Sequence, residues 1–420
     1  MSKIYILFAT LIVSITALAA DPTTTTYTYS DCDGSLKPYP KDINPSVFPD
    51  TLHPVFINYI GRHGSRYPAS STNSLKLQRA LEKADSLGTI TPLGRQLKKI
   101  NENIMRICEN QWGALDSLGM EEMKYISTRM FYNFGEIFVN NSTVKGYSSY
   151  SPRAMMSMYC FLHQLDRLNN RVNYETLSGR EVSNILRPFD TNPEYVEYHK
   201  QKPWETTYND YISSFCPTTS IRRVLGERFP FADKQQEIEL AITEYYVIAG
   251  CDAMSYNVPA STFFTREEYN KLWSCFNLRQ YLMRSASTIS FTPAEIAVDL
   301  LKNIIDTTES YVNGNHQTVA QLRFGHAETL IPLLALLRLR GCYYMTNYFD
   351  TVALHWNDFN IVPMSANLQL ILFKSNSERY YVRVDLNEKP IPLIPNDQNI
   401  YLPWDKAREY MEAVIPIYAQ

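Results

Sequence analysis

The sequence predicts an α/β fold: a mainly parallel central sheet flanked by helices, with a mainly helical insertion. Three observations carry this. Apolar strand-like runs alternate with helical stretches at both ends of the chain, the order that builds parallel sheets. Three of those strands end in a polar turn that leads straight into a helix, at His63, Arg153 and His326. Between them, Asn169 to Ser290 breaks the alternation, with many tyrosines, scattered prolines and no clear alternating strands. The predicted organisation is a leader over 1–20, an α/β core over 21–168 and 291–420, and a helical insertion over 169–290 that caps the cleft.

The 420 residues are 45% hydrophobic and 20% charged, an ordinary globular composition with material for a sizeable core. A net charge of −3 gives no reason to expect a nucleic-acid partner. Attraction for an anion must come from cations focused in a cleft.

Met1 to Ala20 reads as a secretory leader, with Lys3, an apolar run and a small-x-small site at Ala17-Leu18-Ala19. No later run is long and charge-free enough to span a bilayer. In a secreted chain the seven cysteines make disulfides plausible, and without a CxxC pair zinc is not indicated. Seven is odd, so at least one thiol is unpaired or intermolecular, and spacing does not give the pairing. Asn140-Asn141-Ser142-Thr143 holds two overlapping N-glycosylation sequons, on Asn140 and Asn141.

Pro54 to Ile60 reads as a buried strand, followed by Arg62-His63-Gly64-Ser65-Arg66-Tyr67-Pro68. Asn73 to Leu87 is helical. Thr91-Pro92 starts a helix to about Glu109, Thr capping and Pro at the first helical position. Another helix covers roughly Met120 to Phe138. Lys145 to Tyr150 is a strand, with Ser151-Pro152-Arg153 at its carboxyl end and a helix from Ala154 to Leu168. In the insertion, Lys234 to Ile248 and Arg266 to Arg284 stand out, the second behind a capping box at Thr265. Thr292-Pro293-Ala294-Glu295 reads as another capping box, starting a helix to about Asn313. Val319 to Phe324 is a strand that meets Gly325-His326-Ala327-Glu328 and an apolar helix. Leu368 to Lys374 and Tyr380 to Leu386 form a hairpin.

The three turns offer Arg62, His63, Arg66, Arg153, His326 and Glu328. Hydrolysis of a phosphate monoester needs charge neutralisation on the phosphoryl oxygens, a nucleophile and an acid for the leaving alcohol. Arginine's planar fork suits the first task, an imidazole the second and a carboxyl the third. An acid donor works best with its pKa raised toward the working pH. No metal or other cofactor is called for, and the remaining histidines show no ligand spacing.

Arg62 to Pro68 fits RHGxRxP, and on that string the chain resembles the histidine acid phosphatases of the second histidine phosphatase branch. The Gly325-His326-Ala327-Glu328 stretch is similar to the His-Ala-Glu form found in the multiple inositol polyphosphate phosphatase subgroup. The resemblance implies a histidine phosphatase-like fold. It implies transient phosphorylation of His63, phosphate binding by Arg62, Arg66 and Arg153, a second phosphate-binding histidine at His326 and proton donation by Glu328. The implied substrate is a small phosphate monoester, with inositol polyphosphates first and simple monoesters as the alternative. A silent secreted binding protein is a third reading, disfavoured by the intact set. Lys76, Arg79, Lys145, Lys202 and Arg323 are further candidates to line a cleft for a highly charged substrate.

Overall fold

Eight strands form one sheet in the computed structural model, which describes residues 27–417. They are β1 (Leu52–Arg62), β2 (Thr143–Ser148), β3 (Asn173–Ser178), β4 (Thr318–Gly325), β5 (Asn367–Ser375), β6 (Tyr380–Leu386), β7 (Lys389–Ile391) and β8 (Leu402–Pro403). Their order is β3-β2-β4-β1-β5-β6-β7, with β8 paired to β6. The block β3-β2-β4-β1 is parallel, and β5 to β8 join it antiparallel. The predicted leader lies outside the described residues.

Burial explains the pattern of the central strands. From Phe56 on, β1 is buried nearly throughout, and β4 is buried from Val319 to Gly325. Strands covered on both faces read as continuous apolar runs, which is why these two were visible in the sequence. β3 was not. Its residues Asn-Tyr-Glu-Thr-Leu-Ser are mostly exposed because it is the sheet edge. It pairs parallel to β2 from within the stretch predicted to be helical, so the core sheet draws on residues 173–178 as well.

The helices that matter for the site are α1 (Thr72–Ser86), α2 (Pro92–Ile107), α3 (Ser117–Phe134), α4 (Pro152–Leu168), α5 (Lys234–Ala249), α6 (Arg266–Arg284), α7 (Val298–Val312) and α8 (Ala327–Leu336). The Thr91 hydroxyl caps α2 by accepting from Gly94 N–H at 3.1 Å. α6 starts with a reciprocal capping box: Glu268 N–H donates to Thr265 Oγ1, and Thr265 N–H donates to Glu268 Oε2 at 2.8 Å. The second predicted box is not formed. Thr292 is itself the first residue of a short turn, Thr292–Glu295, and the long helix begins afresh at Val298.

The cysteines also differ from expectation. All seven are free thiols, and all but Cys160 are buried in the protein interior. The side chains of Cys216 and Cys275 lie against each other, and the buried cysteines pack as small core side chains. Cys32 lies in a short 3₁₀ helix, Asp31–Leu36, that hydrogen bonds hold down: the Tyr245 hydroxyl donates to the Cys32 carbonyl at 2.7 Å.

Arg323 is a core residue rather than a cleft cation. It is fully buried in β4. Its Nη1 donates to Asn58 Oδ1 of β1 at 2.7 Å and its Nη2 to Asn303 Oδ1 of α7 at 2.7 Å. Arg323→Met removes these bonds, leaving buried Asn58 Oδ1 to the Thr307 hydroxyl and half-buried Asn303 Oδ1 short of a donor. The expected cost is about 3 kcal/mol in unfolding free energy. Phosphate affinity in the folded fraction should stay unchanged. Denaturant unfolding and phosphate titration of the variant check both halves; an unchanged midpoint would contradict the assignment.

Candidate active site

Strands β1, β4 and β2 are adjacent and parallel, so their carboxyl ends share one edge of the sheet, where α/β folds bind ligands. Arg62 is in register with Gly325, and Ser148 with Phe324. His63 and His326 each stand one residue beyond the Arg62–Gly325 pair. Their ring centroids are 5.5 Å apart, although most of the chain lies between them. Backbone bonds fix the junctions. His63 N–H donates to the Gly325 carbonyl at 3.0 Å, and Ser149 N–H to the Phe324 carbonyl at 3.1 Å.

Helix α3 seats the loop after β1. A Cβ on Gly64 would stand 2.5 Å from the Gly119 carbonyl oxygen, so only glycine allows this approach. Glu122 of α3 accepts from the Ser65 N–H at 2.8 Å and the Ser65 hydroxyl at 2.7 Å. It also accepts from the Ser365 hydroxyl at 2.6 Å, which joins the loop to the segment before β5. From α4, Ser157 Oγ accepts from Gly64 N–H at 3.1 Å and donates to the Arg153 carbonyl at 2.8 Å. The Arg153 helix and the His63 loop are therefore one hydrogen-bonded unit.

Each arginine is anchored at one nitrogen. Arg62 Nη1 donates to the carbonyls of Ser35 and Val362, the second at 2.7 Å. Arg66 Nη1 donates to the Tyr67 carbonyl at 2.8 Å. Arg153 Nη2 lies 3.4 Å from His326 Nδ1. The Nε atoms of Arg62, Arg66 and Arg153 are buried without a partner in the protein. A buried donor left unsatisfied costs on the order of 1–3 kcal/mol. Three of them around one loop fit an anion that accepts from all three.

Burial pushes Arg62 down to about 10; Glu328 opposes this, while Arg153 and Arg284 add repulsion. Burial, then Arg62 and Arg153, pushes Arg66 down to about 9. Both stay charged at neutral pH. The same forces act on the imidazoles. Burial, reinforced by Arg62, Arg153 and Arg66, holds His63 well below its ordinary 6.5. Burial lowers His326 to about 3, with Glu328 opposing and Arg153 and Arg187 reinforcing. Both rings are neutral at neutral pH, so each carries one N–H.

Hydrogen-bond partners assign that proton. The Gly64 carbonyl, 2.9 Å from His63 Nδ1, only accepts, so the proton sits on Nδ1 and Nε2 keeps its lone pair. Guanidinium donors face both ring nitrogens of His326, Arg187 at 3.0 Å from Nε2 and Arg153 at 3.4 Å from Nδ1; the shorter contact makes Nε2 the better acceptor and favours the proton on Nδ1. The Ser149 hydroxyl lies 2.9 Å from the same Nε2.

Glu328 departs from the expectation of a raised carboxyl. Burial raises it, but Arg284, with Nη2 2.8 Å from Oε1, outweighs that and holds Glu328 well below its ordinary 4.5. Arg284 ends α6, where a cation reads in sequence as a partner of the helix dipole. Arg187 lies between two four-residue helical turns. Neither has a motif around it, and sequence reasoning missed both. Of the proposed extra cations, Lys76, Lys145 and Lys202 pair with Glu239, Glu175 and Glu205. Arg79 is exposed on α1. Among the described residues no group of three or more His, Cys, Asp and Glu is placed to hold a metal ion, and no helix is long and apolar enough to cross a membrane.

The histidines give a pH prediction. A histidine whose folded pKa is depressed stabilises the fold above the unfolded value, and the contribution is lost as pH falls through 6.5 toward the folded pKa. Each contributes a slope of about 1.4 kcal/mol per pH unit in that window. Nitrogen-15 NMR of the ligand-free protein should show His63 and His326 as neutral Nδ1–H tautomers at pH 6. Titration of either near 6.5 would contradict the electrostatic picture.

A family model described as "Histidine phosphatase superfamily (branch 2)" matches residues 55–387, from within β1 to just past β6. Multiple inositol polyphosphate phosphatase 1 of Gallus gallus is 24% identical over 396 residues, covering 86% of this chain and 83% of the relative. Among solved structures, the multiple inositol polyphosphate phosphatase of Bifidobacterium longum in complex with phosphate aligns with a TM-score of 0.78 and 17% identity, over 92% of this chain and 98% of that one. The phytase from D. castellii aligns with a TM-score of 0.72 and 17% identity, over 96% and 89%. The α/β architecture is thus shared, and the match across β1, β2, β4 and β5 covers the strands that build the site. The chain belongs to branch 2 of the histidine phosphatase superfamily and is a phosphatase.

Proposed function

We propose that the protein hydrolyses phosphate monoesters of inositol polyphosphates through a phosphohistidine on His63, with Glu328 as proton donor. One observation carries the reading: three arginines with buried, unpartnered Nε atoms surround a neutral histidine whose Nε2 lone pair is free. Arg62, Arg66 and Arg153 take the phosphoryl oxygens, and His326 Nδ1–H donates to one of them. His63 Nε2 forms the P–N bond as the ester P–O bond breaks. The bond's electron pair leaves with the alcohol oxygen, which takes a proton from Glu328. Water, giving its proton to the Glu328 carboxylate, then attacks phosphorus and returns the electron pair to Nε2.

Glu328 must be protonated for the first step, against the pull of Arg284. A polyanionic substrate meets this condition, because its negative charge raises the carboxyl and its other phosphates compete for Arg284. Arg187 and Arg284 both come from the stretch proposed as the cap, over residues 169–290. Their bonds to His326 and Glu328 support its closing over the strand ends. With them five guanidinium groups face the site, two of them paired, Arg187 with Asp190 and Arg284 with Glu328. The names of the relatives point the same way.

The secretory lumen is the proposed compartment. Asn140 and Asn141 are both exposed in the turn before β2, as glycan acceptors must be. Expression through the secretory route should give a protein whose mass falls on N-glycosidase treatment. The Asn140→Gln, Asn141→Gln double variant should lose that shift, and a shift that survives would remove both sites from the proposal.

The test of the activity is phosphate release from phytate and from p-nitrophenyl phosphate across acidic to neutral pH. Phytate should be preferred in kcat/KM. His63→Ala should lower kcat by about 10⁴-fold or more on both. Glu328→Gln should cost on the order of 10²–10³-fold on phytate and much less on p-nitrophenyl phosphate, whose phenolate leaves without a proton. Equal losses on both esters would remove Glu328 from the donor role. Preference for the small ester would make the protein a broad acid phosphatase.

A further inference from the structure

Arg62 is the most deeply buried of the phosphate-facing arginines, and its orientation is set by two backbone carbonyls, of Ser35 and Val362. Both carbonyls belong to residues whose N–H groups bond to Asp358, a fully buried acid. Its Oδ2 accepts from the Ser35 N–H at 2.8 Å, and its backbone carbonyl accepts from the Val362 N–H at 2.8 Å. Its Oδ1 accepts from Trp273 Nε1–H at 2.9 Å, and its own N–H donates to Asn277 Oδ1 at 2.9 Å. Trp273 and Asn277 belong to α6, the helix that ends in Arg284 and so reaches Glu328.

The approach to Ser35 is built for this contact. Gly34 has φ +60, and a Cβ there would stand 2.8 Å from Asp358 Oδ2 and 2.9 Å from the Phe276 ring. A glycine in the left-handed region turns the chain so that Ser35 offers its N–H to Asp358 and its carbonyl to Arg62. Nη1 is thereby occupied, and the unpartnered Nε edge of Arg62 is left for an anion. The bland account is a buried acid that only satisfies core donors. It does not explain why the carboxylate is seated on the N–H of Ser35, the residue whose carbonyl takes Arg62 Nη1.

We infer that Asp358 is a positioning residue for phosphate binding: through Ser35 its carboxylate orients the Arg62 guanidinium, and through Trp273 it ties α6 to that arrangement. The inference deepens the proposed function and rests on Arg62 binding the phosphoryl group. It acts through Arg62, so its effect must vanish when Arg62 is removed. A stability role would persist in both backgrounds.

The experiment is a double-mutant cycle read by calorimetric titration of inorganic phosphate into wild type, Asp358→Asn, Arg62→Ala and the double variant, with thermal unfolding alongside. Asp358→Asn should raise the Kd for phosphate about tenfold with Arg62 present and less than twofold with Arg62→Ala. Trp273→Phe, which keeps the packing and removes one bond to Asp358, should weaken phosphate binding in the same Arg62-dependent way. It carries the cycle if Asp358→Asn does not fold. Equal losses in both backgrounds, or no loss in either, would overturn the inference. Wild type that binds no phosphate would instead overturn the proposed function, and the positioning role with it.

Discussion

Several guanidinium groups must be held together before any anion arrives to neutralise them, and the rest of the structure follows from that requirement. Like charges in a partly buried cleft repel, and leaving water costs each of them more. The lowered values of Arg62 and Arg66 measure that cost. What opposes it is covalent and hydrogen-bonded scaffolding rather than ion pairing. Arg62 closes a strand whose backbone is locked on both sides, to β4 and to β5. Arg153 opens a helix tied through Ser157 to the His63 loop. Two carboxylates contact site arginines, Glu328 on Arg284 and Asp190 on Arg187, both within or against the insertion, and among the described residues no acid forms an ion pair with Arg62, Arg66 or Arg153. Had acids paired with those three, a phosphate would have had to displace them.

The same field decides the chemistry of the histidines. An isolated imidazole is half protonated near 6.5, and a protonated ring cannot attack phosphorus. Here burial, reinforced by the arginines proposed to bind phosphate, keeps the rings neutral. Direction comes from single-purpose partners. A carbonyl can only accept, so Gly64 leaves one tautomer open to His63; at His326 the closer of two guanidinium donors, Arg187, favours the proton on Nδ1. His63 then presents a lone pair and His326 presents an N–H. Two chemically identical residues acquire opposite roles without either being charged.

Much of the fold was legible because the buried strands were apolar throughout. β1, β4 and the β5–β6 hairpin appear in the sequence within two residues of their observed ends at most places. The edge strand β3 was not legible, since its side chains face solvent and carry no alternation. The site was legible where polar residues interrupt an apolar strand end, as at Arg62-His63 and Gly325-His326. Arg187, Arg284 and Asp358 carry no such mark. Arg187 lies among helical turns of the insertion, Arg284 looks like an ordinary helix end, and Asp358 starts a four-residue turn. Each matters only through a partner distant in sequence, and periodicity reports nothing of that. Arg323 shows the converse error: a cation beside a strand end looks available until the helix above it is placed.

The insertion therefore does more than cover the cleft. The core strands alone would assemble Arg62, Arg66 and Arg153 around His63, a set matched to a single phosphoryl group. Arg187 and Arg284, both outside the core strands, bring further positive charge to His326 and Glu328. They couple the protonation of the leaving group to what else the substrate carries. A lone phosphate ester leaves Arg284 on Glu328 and the carboxyl ionised. A substrate with neighbouring phosphates draws Arg284 away and lets the carboxyl take up the proton that it must give to the alcohol. Under the proposed mechanism the charge of the substrate is a condition of the acid step as well as of binding, and the Arg284–Glu328 pair is where a preference for polyphosphates would arise.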